Sequence, residues 1–360
     1  MTSFPINHFQ GKRIFVTGHT GFKGSWLIRM LHLLGAQVRG FALNPVEERS
    51  LYHSIAGDSI CESIICDIRD VSRLTKEMIA FKPDYLFHLA AQPLVLTSYE
   101  QPVYTYEVNV MGTVHVLEGL RQLSNACTAV LITTDKVYEN LESGQYYKEG
   151  DRLGGYDPYS SSKACTELAI ASYRSSFFED VTIKSGKSVS VARAGNVIGG
   201  GDWAPNRIIP DIVRSLSEGE PIQIRNPDSV RPWQHVLEPL EGYLTLAYKQ
   251  SVDPKTFSSP FNFGPFPENT HPVKELVQKV IDCWGAGEWY SEPMKNPTHH
   301  EAGLLHLDLN KAVSELSWRP TWSFEETIKI TIDWYKNFMS DPAGATVLMD
   351  SNIKMKLKYD

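Results

Sequence analysis

The sequence predicts an α/β fold: a doubly wound, Rossmann-type parallel sheet with a smaller, mixed C-terminal lobe. Three observations predict it. Short apolar runs alternate with helical stretches through the first half of the chain, the pattern of βαβ units. A glycine turn, Thr17-Gly-His-Thr-Gly-Phe-Lys-Gly24, separates the first run from the first helix. After Gly195 the rhythm stops and Gly and Pro become dense, as in Gly199-Gly-Gly201, Pro205, Pro210, Pro221, Pro227 and Pro232.

Taken in order, Arg13-Ile-Phe-Val-Thr17 reads as a buried strand, followed by a helix over Trp26 to Leu34. A second strand spans Val38 to Leu43, and a third ends at Asp67. A helix covers Val71 to Phe81, Tyr85 to Leu89 is strand four, and a long helix runs from Tyr104 to Leu123. Strand five is Ala129 to Thr133, a helix begins near Pro158, and Ser188 to Ala192 is strand six. Right-handed crossovers turn this series into a sheet covered on both faces. The expected division is residues 1–194 for a nucleotide-binding sheet and 195–360 for most of a second lobe. Phe261-Asn-Phe263 is expected to return to the sheet, Ile208 to Ser217 to be an isolated helix, and 343–360 to carry little chemical information.

Composition narrows the class. The chain has 360 residues with 42% hydrophobic and 21% charged, enough for a large core. The net charge of −7 argues against a general nucleic-acid binder, which shows a basic stripe. No apolar run reaches the length of a membrane helix, and Met1 to Arg13 has no signal-peptide core. Five scattered cysteines without a CxxC spacing fit a reducing compartment, hence a cytoplasmic protein without structural zinc. His299-His300-Glu301 with His306 matches no standard zinc spacing, so no metal is expected.

Gly18, Gly21 and Gly24 are spaced GxxGxxG at a strand-to-helix turn, where glycines let the backbone approach a pyrophosphate over a helix N-terminus. His19, Phe22 and Lys23 lie inside that turn, and His19 and Lys23 are candidates to reach a phosphate. Asp67, followed by Ile68, closes strand three and is placed to accept from an adenine amino group. Leu89 ends strand four at the cofactor side, and Ala90 and Ala91 after it are small enough to let a dinucleotide pass. The segment Phe41-Ala42-Leu43-Asn44 lacks the acid that binds the ribose diol of NAD, so loose binding is expected. NAD is the expected cofactor, with NADP the alternative. Asn109 in the long helix is expected to tie elements together.

Tyr159 and Lys163 stand four apart after Asp157-Pro158, an N-cap and first turn, and so share one helix face. A neighbouring ammonium and a positive nicotinamide favour the phenolate, which can then take a hydroxyl proton. Thr134-Asp135-Lys136 follows strand five at the carboxyl end of the sheet, where such folds bind ligands. Thr134 can hydrogen-bond a reacting oxygen, Asp135 supplies an acid, and Lys136 a cation or base.

These residues, with His88-Leu-Ala-Ala-Gln92 and Arg193-Ala-Gly-Asn-Val-Ile-Gly199, resemble the nucleotide-sugar 4,6-dehydratase family of extended short-chain dehydrogenase/reductases over residues 10 to 340. Asp135-Lys-Val-Tyr-Glu-Asn140, Leu153-Gly-Gly-Tyr-Asp-Pro-Tyr-Ser160, Gly199-Gly-Gly-Asp-Trp203 and Arg231-Pro-Trp-Gln-His-Val236 resemble the branch acting on a CDP-linked hexose. The resemblance implies oxidation of CDP-glucose at C4, loss of water across C5–C6 and reduction at C6, giving a 4-keto-6-deoxy sugar for dideoxy-sugar and O-antigen synthesis. It makes Tyr159 the base at the 4-hydroxyl, with Lys163 beside it, and Asp135 the acid for the C6 oxygen. The wider family has Glu where Lys136 stands. Either a proton is shared within the Asp135–Lys136 pair or Lys136 only stabilises the enolate.

A diphosphate substrate calls for converging cations. Arg207, Arg225 and Arg231 are candidates, with Gln92, Asn196, His235 and His300 as further substrate contacts and Trp203 and Trp233 as packing residues. The resemblance also implies a homodimer or tetramer through a helix bundle. Beside the dehydratase stand a dehydratase of another nucleotide-glucose, a nucleotide-sugar 4-epimerase, which Asp135 disfavours, and a non-catalytic NAD(P) sensor, which has no use for the proton-transfer set.

Overall fold

The computed structural model describes residues 4–45, 49–142, 144–179, 186–292 and 305–359. Among these, one parallel sheet is built from β1 (Arg13–Thr17), β2 (Gln37–Ala42), β3 (Glu62–Ile65), β4 (Tyr85–His88), β5 (Cys127–Thr134), β6 (Lys187–Ala194) and β7 (Pro260–Phe263). Their order is β7-β6-β5-β4-β1-β2-β3. The order reverses between β1 and β4, where doubly wound sheets open a crevice at the strands' carboxyl ends. The expected return of Phe261 to Phe263 is correct: β7 pairs parallel with β6.

The strands alternate their side chains between two apolar layers, as a period of two requires. Ile14, Val16, Val130 and Ile132 join Trp26, Leu237 and Leu240 on one side. Phe15, Leu86, Ala129, Leu131 and Val189 join Leu74, Met78, Leu117 and Ile170 on the other. Each Val, Leu, Ile, Phe or Met among them, fully buried, stabilises the fold by about 1.5–3 kcal/mol. The first layer runs from Phe4 to Leu357, so it joins the sheet to the residues after 195.

The helices on one side are α1 (Phe22–Leu33) and α6 (Leu237–Val252); on the other are α2 (Val71–Phe81), α3 and α4. α3 is continuous through Pro102–Tyr106, a π turn at Glu107–Met111, and Gly112–Gln122. α4 (Pro158–Tyr173) runs on into a π turn at Arg174–Phe178. The π turn in α3 centres on Asn109, whose carbonyl accepts from the hydroxyls of Thr113 at 2.7 Å and Thr166 at 3.0 Å. The Asn109 amide donates to Gln92 O and Ser162 Oγ, so it ties the loop after β4 to α4, as expected. α5 (Ile208–Glu218) is the expected lone helix.

Two readings need correction. α1 starts at Phe22, four residues before the expected Trp26, because the third glycine of the turn is already helical. The C-terminal stretch is not empty of chemistry. After α7 (Phe324–Ser340), α8 (Pro342–Leu357) docks on α1 through Arg29 Nε–Asp350 Oδ1 at 2.6 Å. It also buries Lys356 against Glu238 and, at 3.2 Å, Glu241. Apolar residues are spread around α8, so it lacks the one-sided stripe that marks an amphipathic helix.

Candidate active site

The glycine turn is shaped by close approach. Gly18 has φ +77°, and a Cβ there would stand 2.7 Å from Ala90 N. A Cβ on Gly24 would lie 2.0 Å from Gly18 O, so the first and third glycines let the turn pack on itself and on β4. A Cβ on Gly21 would meet only Gly18 O at 3.5 Å, so that position faces open space. No side chain caps the N-terminus of α1, leaving its amide groups turned out from the turn. That cradle fits a dinucleotide pyrophosphate. Phe22 opens α1 and lies 3.2 Å from where a Gly199 Cβ would be. Leu89 N donates to Thr17 O and Ala90 N to Thr17 Oγ1, which seats the end of β4 on the turn, with Ala91 next in the chain.

Two residues of the turn differ from expectation. His19 packs on Gly40 and edge-on to Tyr52, with Nε2 2.7 Å from Ser63 Oγ. Burial pulls its imidazole down to about 4, so it is a neutral core group and not a phosphate cation. Lys23 turns inward: Nζ lies 3.3 Å from Tyr243 Oη. Burial, then Arg207 and Lys163, pull it down to about 7, against Asp135. Asp67 accepts from Arg69 N at 2.8 Å and from its guanidinium, which holds the carboxyl below its ordinary range. Ile68 packs on Gly112 of α3 and is buried.

β5 and β6 end level, with Thr134 paired to Ala194. The next residues therefore meet: a Cβ on Gly195 would stand 2.9 Å from Asp135 Oδ2. Thr134 Oγ1 donates to Asp135 Oδ1 at 2.8 Å, and Lys136 Nζ lies 3.7 Å from the same oxygen. Across from them α4 begins as expected: Asp157 Oδ1 accepts from Ser160 N at 2.9 Å, and Pro158 fills the first turn. Tyr159 and Lys163 are both buried one turn apart. Burial pushes the Tyr159 phenol up to about 12; a Thr134 hydrogen bond and the Arg207 charge pull it back, while Asp135 and Asp157 push further. Burial likewise pulls the Lys163 ammonium down to about 8, opposed by Glu167. Thr134, Asp135, Tyr159 and Lys163 are thus four buried polar groups gathered at the ends of β5 and α4, with Lys136 at their edge.

The substrate candidates divide. Arg207, at the start of α5, is held by Asp202 at 3.2 Å and its charge reaches both Tyr159 and Lys23. Asn196 is partly exposed and follows Gly195, the residue that lies against Asp135. Arg231 is half-buried, with Nη1 on Val230 O at 3.0 Å, and Arg225 is exposed. Two expected substrate contacts are structural instead. Gln92 uses Oε1 to accept from Leu94 N and Nε2 to donate to Leu94 O and Thr105 Oγ1, so its amide is fully engaged in closing its own loop. His235 is fully buried between Trp26 and Trp322 and accepts from Leu237 N on Nδ1, so it is packed in the core. Trp203 and Trp233 pack the core, as expected. His300, with His299 and Glu301, lies outside the described residues. Among the described residues no three His, Cys, Asp or Glu side chains converge on a metal position.

Sequence reasoning missed Asp202, Tyr243 and the Arg193–Glu167 pair. Asp202 and Tyr243 leave no local signal, because they reach the site from separate elements. Glu167 was detectable: it continues the Tyr159, Lys163 stripe at the same spacing of four.

A glycine cradle on α1, a Thr-Asp-Lys strand end and a Tyr-x3-Lys helix at one crevice define an extended short-chain dehydrogenase/reductase. The comparisons narrow this: the chain belongs to the GDP-mannose 4,6-dehydratase family, whose sequence profile matches residues 15–331. CDP-glucose 4,6-dehydratase of Salmonella typhimurium is 48% identical over 332 residues, 92% of each chain. dTDP-glucose 4,6-dehydratase of Streptomyces antibioticus is 30% identical over 332 residues, 90% of this chain and 92% of that one. The solved dTDP-glucose 4,6-dehydratase of Streptomyces venezuelae, with NAD bound, superposes with a TM-score of 0.75 at 25% identity, covering 92% of this chain and 99% of that one.

Proposed function

We propose that this chain catalyses the NAD-dependent 4,6-dehydration of CDP-glucose to CDP-4-keto-6-deoxyglucose. The observation that carries the reading is the meeting of Thr134-Asp135-Lys136 with Tyr159 and Lys163, an acid joined to the oxidoreductase pair; the 48% identical CDP-glucose 4,6-dehydratase supports the nucleotide. NAD, when bound, supplies a two-electron oxidation at C4 and the matching reduction at C6.

The residues move the protons. Tyr159, made a phenolate by the Lys163 cation and a positive cofactor ring, takes the proton of the C4 hydroxyl. Thr134 bridges Tyr159 and Asp135, so that proton passes to the Asp135 carboxyl, which releases it to the oxygen leaving C6 as water. The 4-ketone acidifies C5, and Lys136, 3.7 Å from Asp135, enters this step as the neutral amine, takes the C5 proton and later returns it to C5. Residues 195–360 supply most of the nucleotide-sugar side, with Arg207 and Arg231 on the diphosphate and Asn196 on a phosphate or sugar hydroxyl. Glycines 18, 21 and 24 hold the cofactor pyrophosphate, and Asp67 accepts from its adenine. Exposed Val103 and Met111 on α3 and Leu168 and Phe177 on α4 support pairing of two copies through a helix bundle. Five unpaired thiols, together with the absence of a helix long and apolar enough to cross a membrane among the described residues, support a cytoplasmic enzyme feeding deoxy-sugar precursors of surface polysaccharide.

The test uses CDP-glucose carrying deuterium at C4. The expected product is a 4-keto-6-deoxy sugar with the label in its methyl group, and CDP-glucose should outperform the UDP, dTDP and GDP sugars. A C4 isomer would show an epimerase, and no conversion of any sugar would show a sensor.

The end of β2 offers a second check. Ala42 is buried where an acid would meet the ribose diol. Ala42→Asp is expected to tighten NAD about tenfold by titration calorimetry, the worth of one charge-assisted hydrogen bond. Unchanged affinity would mean that β2 does not meet the ribose.

A further inference from the structure

Below the proton-transfer set lies a fully buried ion pair that the mechanism above does not use. Arg193, at the end of β6, grips Glu167 of α4 in a fork: Nε to Oε1 at 2.7 Å and Nη2 to Oε2 at 2.6 Å. Its Nη1 donates to Tyr138 Oη at 2.8 Å and to Glu149 O at 3.0 Å, and the guanidinium lies 4.9 Å over the Tyr138 ring. Tyr138 is three residues after Asp135 and in turn donates to Asn262 Oδ1 of β7 at 2.7 Å. Glu167 also accepts from Thr133 Oγ1 at 2.6 Å, one residue before Thr134. One carboxylate and one guanidinium therefore connect α4, β5, the turn after β5, and β6.

A buried pair of this kind is weak evidence for stability, since apolar residues of the same volume often serve as well. Its placement is more informative. Tyr159, Lys163 and Glu167 are three successive positions of one helix face, so Glu167 is the next side chain below Lys163. The other titratable groups facing Lys163 are Tyr159 on its own helix, Lys23 from the glycine turn and His88 from β4. Burial pulls Lys23 to about 7 and His88 to about 3, so neither supplies negative charge. Glu167 is the group whose charge favours the Lys163 ammonium.

We propose that Glu167, locked by Arg193, is a positioning residue for the proton-transfer set: it holds α4 in register with the Thr134–Asp135 turn and keeps Lys163 a cation. Lys163 in turn must be charged for Tyr159 to act as a base, so the step rests on the dehydratase reading. The titration of Lys163 itself does not.

Glu167→Gln keeps the size and the Thr133 acceptor but removes the charge. It strands Arg193, so the double variant Glu167→Gln/Arg193→Met, which removes both charges, is the folded control. In the chain enriched with 13C-lysine, the Lys163 signal (assigned with Lys163→Met) is expected to titrate lower by about one unit in the double variant. For turnover, kcat is expected to fall at least tenfold with KM for CDP-glucose changed less than threefold, and the alkaline limb of kcat to move to lower pH by the same unit. Glu167→Asp, which keeps the charge, is expected to hold the wild-type limb despite a lower kcat. A folded double variant with wild-type Lys163 titration would overturn the proposal. Wild-type protein inert toward CDP-glucose, with the Lys163 shift present, would overturn only the assigned reaction.

Discussion

Tyr159→Phe is expected to abolish turnover of CDP-glucose, lowering kcat by about 10^3-fold, while thermal unfolding stays close to wild type. The magnitude is that of a positioned general base. The fold survives because the hydroxyl anchors little else: Thr134 keeps its bond to Asp135, and the ring keeps its burial. The pH dependence carries the same argument. In the free chain burial holds the phenol at about 12, so a phenolate at neutral pH depends on the Lys163 cation and a bound positive ring. The Tyr159 ionisation read in the cofactor-bound enzyme should therefore lie well below that of the free enzyme. Residual kcat in Tyr159→Phe above a tenth of wild type would remove Tyr159 as the base.

Acid lability is the second large effect. His19, His88 and His235 are buried, and burial pulls them to about 4, 3 and 3 from 6.5. Between those values and 6.5 the unfolded chain binds protons that the folded chain does not, so stability rises with pH through the window and is lost as pH falls. Each histidine contributes a slope of about 1.4 kcal/mol per pH unit, and three together about 4. His88 shows why the neutral form is required. Ala90 N donates to Thr17 Oγ1, which lies 2.7 Å from His88 Nδ1, and His88 Nε2 lies 2.9 Å from Thr113 Oγ1, which donates to Asn109 O. This chain runs in one direction, with Nδ1 accepting; a second ring proton would set two donors against each other. Urea midpoints should fall steeply from pH 6.5 to 4.5, and His88→Asn should reduce that slope by about one proton. Equal slopes for wild type and variant would show that His88 is not buried neutral.

The legible part of this chain was its local chemistry. Val71 to Phe81 is apolar at a spacing of three and four, and α2 has those bounds. Asp157-Pro158 predicts a helix start, and α4 starts there. Both depend on residues within one turn of each other, as does the pairing of Tyr159 with Lys163. Three of the errors at the site share one form. His235, Gln92 and His19 are polar side chains close in sequence to binding motifs, so their residue types suggested ligand contacts. In the structure Gln92 meets Leu94 and Thr105, His235 meets two tryptophans, and His19 meets Gly40, Tyr52 and Ser63. A polar atom is equally able to bind a ligand or to satisfy a buried partner, and sequence alone does not choose between them.

By itself the sequence determined the alternation of strands and helices, the glycine turn, the strand-end Thr-Asp-Lys and the Tyr-x3-Lys face, because hydrophobic period, backbone freedom and helical spacing are all short-range properties. Only the tertiary structure decided which side chains meet. It set β5 and β6 level, so that Gly195 makes room for the Asp135 carboxylate. It also drew Lys23 inward to Tyr243, and locked Glu167 to an arginine 26 residues away in the chain. Those meetings depend on sheet order and on what else fills the crevice, and close packing makes each conditional on all the others.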